Sequence, residues 1–184
     1  MRSLWTFVAA TTLASVLLAD SAAAQAKLAA NTEVKPFQVY GVTGQFDNKQ
    51  VELAKPTDHP QVYLFVAADK FDRPTARYLK TFDSQVLKGI EGVKSLDVYA
   101  VWLTEEPQKS KDYLPKAQQS LQLGQTSLAV FEGAKQGPTG WEIDPDAYLT
   151  TIVVRDGKVV ESFVYRSTNE ADVPALVEAL KKKP

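Results

Sequence analysis

The chain has 184 residues, 45% of them hydrophobic, enough for the buried core of one ordinary domain. Its 21 basic and 22 acidic residues leave a formal net charge of -1, which excludes the cationic footprint of a nucleic-acid binder. There is no cysteine, which excludes structural disulfides and every mechanism that needs a thiolate.

The chain opens MRSLWTFVAATTLASVLLADSAAAQA, where Arg2 gives a positive start, residues 4–19 an apolar stretch, and Ala22, Ala23 and Ala24 a small-residue cleavage site. The apolar run is about 16 residues, short of the ~20 that a spanning helix needs. Residues 1–24 are therefore expected to be a secretory signal peptide, and the mature protein to be exported, periplasmic or secreted, with no membrane partner after cleavage. Residues 25–36 carry little apolar periodicity and are expected to form a flexible leader, with one domain over 37–184.

"FQVYGVTG" and "KQVELA" alternate apolar and polar residues on either side of Asp47 and Asn48, the pattern of a strand pair with one face in water. "VYLFVAA" (62–68) is an almost continuous apolar run, as a strand buried on both faces must be. Asp72 then caps a helix whose first turn contains Pro74, and Leu79, Phe82, Val86 and Ile90 recur at helical spacing up to Gly89 and Gly92. "LDVYAVWL" (96–103) is a second buried strand, reached by a right-handed parallel crossover. "TEEPQKSK" is expected as a polar loop, followed by a short helix capped by Asp112, because Pro115 suits a first helical turn. "SLAVFEG" is a short strand, and "TTIVV" and "KVVESFVY" flank an Asp156–Gly157 hairpin turn. A helix from about Asn169 buries Val173, Leu176, Val177 and Leu180 and ends in Lys181, Lys182 and Lys183, cations suited to the carbonyl end of a helix.

That order of elements resembles the thioredoxin fold in its redoxin form. "VTGQFDNKQVELAKPTDHPQVYLFVAA" is similar to the redoxin opening, a "dlxGkxvxL" hairpin before an apolar strand ending in "FWAxWC". "YLTTIVVRDGKVVESFVY" is similar to the redoxin "PTxxxIDxxGxI" ending, and the resemblance spans nearly all of residues 37–183. It implies an α/β, thioredoxin-like three-layer fold with a central mixed sheet, helices on both faces and an N-terminal β-hairpin. Carried over residue by residue, it sets Phe65 on the motif's Phe, Ala67 on its Ala and Asp69 on its second Trp. Lys70 and Arg73 then fall on the two cysteine positions, and Leu149 on the cis-proline that faces them. Neither thiol-disulfide exchange nor peroxide reduction can run without a thiolate.

The candidate site is therefore a binding corner made of Asp69, Lys70, Phe71, Asp72, Arg73 and Leu149, with no catalytic residue. Its charges either balance one another in solvent or, at a helix N-terminus, hold a small anion or an acidic peptide. His59, the one histidine, lies in "TDHP" and is expected to be a surface turn residue, since it and Asp58 lack the number and spacing of a metal site. "GAKQGPTG" has the glycines of a phosphate loop without its Gly-Lys-Ser/Thr and reads as a turn. Glu142, Asp144 and Asp146 lack the central Gly and closing Glu of a calcium loop and read as capping and turn residues. Trp102 is expected in the core, and Trp141 as an anchor that packs its loop. No cofactor and no metal is expected. The function these readings converge on is an exported, redox-inactive thioredoxin-like module that binds a protein or peptide or scaffolds an assembly. The alternative is a non-thiol enzyme or anion-binding protein using the charged corner at residues 69–75.

Overall fold

The computed structural model describes residues 27–46 and 48–182, so the expected signal peptide lies outside the described residues. A mixed sheet of seven strands forms the molecule's centre: β1 (Phe37–Gly41), β2 (Lys49–Leu53), β3 (Gln61–Ala67), β4 (Asp97–Leu103), β5 (Thr126–Phe131), β6 (Leu149–Arg155) and β7 (Lys158–Tyr165). Their order is β2-β1-β5-β4-β3-β6-β7, with β3, β4 and β5 parallel and the remaining neighbours antiparallel. The apolar run of β3 is buried at all seven positions, as a strand at the centre of a covered sheet requires. The expected hairpin β1–β2 extends the sheet by pairing β1 with β5. At the other edge, Asp156 (φ 52°) and Gly157 (φ 73°) make the two-residue turn between β6 and β7, both in the left-handed region that a type I′ turn demands.

The helices are α1 (Arg73–Lys88), α2 (Pro107–Leu121) and α3 (Val173–Lys181). Tyr78, Leu79 and Phe82 of α1, Leu114 of α2, and Leu176 and Leu180 of α3 pack with Val62, Leu64, Val66, Ala100 and Trp102 in one core layer. All three helices thus cover the same face, which corrects the expectation of helices on both faces. The crossovers β3-α1-β4 and β4-α2-β5 step in the same direction across the sheet, and two right-handed crossovers in one direction put both helices on one side. The opposite face is closed by Trp141, Phe46, Leu28 and Val34, which pack on Phe37, Tyr63, Phe65 and Tyr99.

Leu28 and Val34 come from the stretch expected to be a flexible leader. Residues 27–36 instead lie along β7: Asn31 N donates to Val159 O (2.7 Å), Val159 N to Thr32 O (2.9 Å) and Val34 N to Gly157 O (2.9 Å). Two buried apolar side chains and a paired edge outweigh the weak periodicity of the sequence.

A third correction concerns α2. It begins at Pro107, not after Asp112, so residues 107–111, the larger part of the presumed loop, are helix. Pro107 sits in the first turn, where its missing N–H costs nothing, while Pro115 lies inside on the exposed side. The interior proline forfeits one backbone bond at a cost of about 3 kcal/mol. Buried Leu114 and Ala117 offset it, and Asp112, read as a cap, accepts from Gln108 Nε2 (3.0 Å) one turn earlier. At the chain's end Asn169 caps a 3-10 turn by accepting from Ala171 N (2.9 Å), and Lys181 and Lys182 pair with Glu178 and Glu161.

Candidate functional site

The corner follows from what ends β3. After Ala67 the chain makes a 3-10 turn, Ala68–Lys70, runs extended through Phe71 and Asp72, and enters α1. Asp72 caps the helix as expected: its Oδ1 accepts from Thr75 N (2.9 Å) and from Thr75 Oγ1 (2.7 Å), and Thr75 Oγ1 lies 2.9 Å from Thr168 Oγ1. Asp69 pairs with Lys135, whose hydrogen bond holds the Asp69 carboxyl below the usual range against the opposing effect of burial. Lys70 Nζ donates to Pro145 O (2.9 Å) and lies 3.9 Å from Asp146. Phe71 packs on Trp102, with ring centroids 5.1 Å apart, and meets Tyr113 edge-on at 6.4 Å. Arg73 is exposed and makes no ion pair among the described residues. Leu149 is 0% exposed and packs in the core, so its side chain is not at the corner's surface.

The four charges therefore do not balance one another. Three of them are committed to partners elsewhere, and an anion approaching the first turn of α1 would meet the Asp72 carboxylate already seated there.

The geometry also moves the carry-over by two residues. A pair at C-x-x-C spacing on a helix N-terminus occupies the cap and the third helical residue, which here are Asp72 and Thr75. Lys70 belongs to the preceding turn, and between it and Arg73 the backbone is extended (Phe71 φ -66°, ψ 114°; Asp72 φ -126°, ψ 179°). With two residues inserted between Ala67 and Phe71, the position just before the first cysteine falls on the aromatic Phe71 rather than on Asp69.

Beside the corner, at the C-terminal ends of β3 and β4 where open α/β sheets bind ligands, lies a cleft of about 520 Å³. Its walls include Phe71, Trp102, Tyr113, Ser110, Glu105 and Lys135. Sequence reasoning misses the α2 side of this cleft because "TEEPQKSK" has the composition of a loop. The available signal was Pro107 at a helix start, followed by Ser110, Leu114 and Ala117 at helical spacing. Lys135 was hidden in a glycine-rich turn whose lysine turns out to reach the corner.

The remaining candidates resolve into structural roles. Trp141 is 0% exposed, stacks edge-on against Phe37, Tyr63 and Phe65, and donates from Nε1 to Lys35 O (3.0 Å). Asp144 accepts from Asp146 N (2.8 Å) and from Arg166 (3.0 Å), the turn role expected of it, and these bonds hold its carboxyl below the usual range although burial opposes them. Among the described residues no group of three or more His, Cys, Asp or Glu side chains is arranged so that it could hold a metal ion.

His59 is more than a turn residue. Its Nε2 lies 2.9 Å from Asp97 Oδ2 and its Nδ1 2.8 Å from Asp58 Oδ1, and Tyr99 OH donates to the same Asp97 oxygen (2.9 Å). Asp97 first, and then Asp58, raise the imidazole above its ordinary value of 6.5. The stability this supplies is fully present below that value and is lost as pH rises through the folded pKa. In urea denaturation at stepped pH, the gap between the natural chain and His59→Asn should shrink on the alkaline side. A gap that stays constant from about pH 5.5 to 9 would show that no charge is involved.

No sequence-family model and no curated protein sequence matches the chain. Solved structures do. A peroxiredoxin-like protein from Aquifex aeolicus superposes with a TM-score of 0.57 at 15% identity, covering 84% of this chain and 88% of that one. Peroxidoxin BcpB from Mycobacterium tuberculosis gives 0.59 at 16%, covering 83% and 96%. BsSco, of the Sco family of cytochrome c oxidase assembly proteins, gives 0.54 at 16%, covering 84% and 96%. The sheet order, the crossover helices and these superpositions agree: the chain has a thioredoxin-like fold and carries no cysteine.

Proposed function

We propose that this is an exported, redox-inactive thioredoxin-like domain that binds an extended stretch of another polypeptide at the cleft beside the corner. The observation that carries the reading is the cleft itself: about 520 Å³ beside the cap of α1, with an aromatic wall of Phe71, Trp102 and Tyr113 and no thiol. Tyr113 is 43% exposed, one of two large apolar side chains left that open among the described residues. Partly exposed aromatic rings in a concave site supply contact area at low conformational cost, which suits a peptide side chain. Export is supported by the pattern of Arg2, the apolar stretch and Ala22–Ala24, and no described helix is long and apolar enough to cross a membrane. Enzymatic use of the corner has less support, because Asp69 is held ionised by Lys135 and Asp72 is consumed in capping.

The test is photo-crosslinking in the producing cell with a benzophenone side chain at Tyr113 and, as a control, at Lys55 on the far end of the sheet. Polypeptides captured at Tyr113 and not at Lys55 are the expected result, and equal capture at both sites would defeat the reading.

The redox-inactive half of the proposal has its own check. With no bridge to lose, the melting temperature should be the same with and without dithiothreitol, and insulin reduction and peroxide turnover should stay at background. Activity that survives purification to homogeneity would contradict it.

A further inference from the structure

The cleft's polar groups are not balanced among themselves. Three carboxylates line it, Asp69, Glu105 and Glu106, against two ammonium groups, Lys109 and Lys135. Lys135 is held by Asp69, and Lys109 by Glu106 at 2.9 Å. Glu105 is exposed and makes no ion pair or hydrogen bond among the described residues, so one negative charge is left over at the rim. Deeper in, Ser110 is 7% exposed and lines the cleft. Across from them Tyr113 stands edge-on to Phe71, and Phe71 is braced on Trp102.

From this we infer that the occupant of the cleft is a basic side chain of the bound polypeptide, an arginine above all. Its stem would lie along Phe71 and Tyr113, and its N–H donors would serve Glu105 and the Ser110 hydroxyl. The inference rests on the polypeptide-binding reading and adds the residue class. An acidic side chain would enter a cleft whose lining already carries one carboxylate in excess of its ammonium groups. A purely apolar one would strip water from Glu105 and Ser110 and return nothing. A cation with an apolar stem satisfies both walls, since aromatic faces attract cations and long basic side chains bury their methylenes while the head group stays polar. Arginine's forked donors reach two acceptors where lysine acts as a point charge.

The experiment is an amide chemical-shift titration of the mature protein with three Gly/Ser decapeptides carrying one central arginine, citrulline or leucine. Citrulline keeps the shape and removes the charge. The arginine peptide should bind about fivefold more tightly than the citrulline peptide, with shifts at Phe71, Glu105 and Tyr113. In Glu105→Gln that ratio should fall to near one, while the leucine peptide binds as before. Equal binding of arginine and citrulline, or a ratio unchanged in Glu105→Gln, overturns the inference and leaves polypeptide binding standing. If no peptide moves the cleft's amides and Tyr113 captures nothing, both fall together.

Discussion

Asp72→Cys/Thr75→Cys is expected to form an intramolecular disulfide on mild oxidation, whereas Lys70→Cys/Arg73→Cys is expected to keep two separate thiols. In the natural chain Asp72 Oδ1 and Thr75 Oγ1 already meet at 2.7 Å, so those two side chains point at one another. A helix's first turn holds such positions about 5–6 Å apart at Cα, inside the roughly 4.4–6.8 Å window that a disulfide needs. Lys70 and Arg73 are separated by two extended residues, which spaces their Cα atoms by roughly 9–10 Å. The Lys70 side chain also points to Pro145 and Asp146. Losing the Asp72 cap should cost about 1 kcal/mol, tolerable for a domain of this size. The readout is thiol counting with a maleimide mass tag before and after oxidation. If the Lys70/Arg73 pair bridges as readily, the extended link between the turn and α1 is not held in solution, and the two-residue shift is wrong.

That shift marks where sequence reasoning reached its limit. β3, β4 and α1 were legible because each carries one dominant signal: a continuous apolar run in Val62–Ala67 and in Val98–Leu103, and a cap with an apolar stripe in Asp72 to Val86. The hairpin turn was legible because only a short list of residue pairs accepts two positive φ angles. Counting along a motif is less reliable, because insertion of two residues between Ala67 and Phe71 changes no periodicity and leaves no trace until the helix start is seen. Pro115 misled for a related reason. Its penalty is real, but Leu114 and Ala117 pay it through tertiary burial that no local pattern reports. The leader stretch was misread because the contacts of Leu28 and Val34 are with β7 and the Trp141 layer, more than 100 residues away in sequence.

Asp83 is the clearest case of a visible residue whose meaning was overlooked, and replacing it should give the largest loss of stability in the fold. It interrupts the apolar stripe of α1, between Phe82 and Val86, and is 3% exposed. A carboxylate there needs partners, and it has four: Gly124 N (3.0 Å) donates to Oδ2, and Gln125 N (2.9 Å), Thr126 N (2.8 Å) and Thr126 Oγ1 (2.8 Å) donate to Oδ1. These bonds fasten α1 to the link between α2 and β5, which sets the position of α2 and so of the cleft wall that carries Ser110 and Tyr113. Asp83→Ala would leave a cluster of inward-facing donors without an acceptor. Charged hydrogen bonds are worth about 1.5–3 kcal/mol, and each stranded buried donor costs about 1–3 kcal/mol. Because neighbouring losses are not additive, about 3–4 kcal/mol in all is expected, or roughly 10 °C in Tm. Asp83→Asn keeps one acceptor oxygen but turns an NH2 toward other donors, so it should recover less than half of the loss. Urea denaturation of both variants measures this. A loss below about 1 kcal/mol in Asp83→Ala would mean that water satisfies the 124–126 amides and that the α1 carboxylate does not fix the cleft.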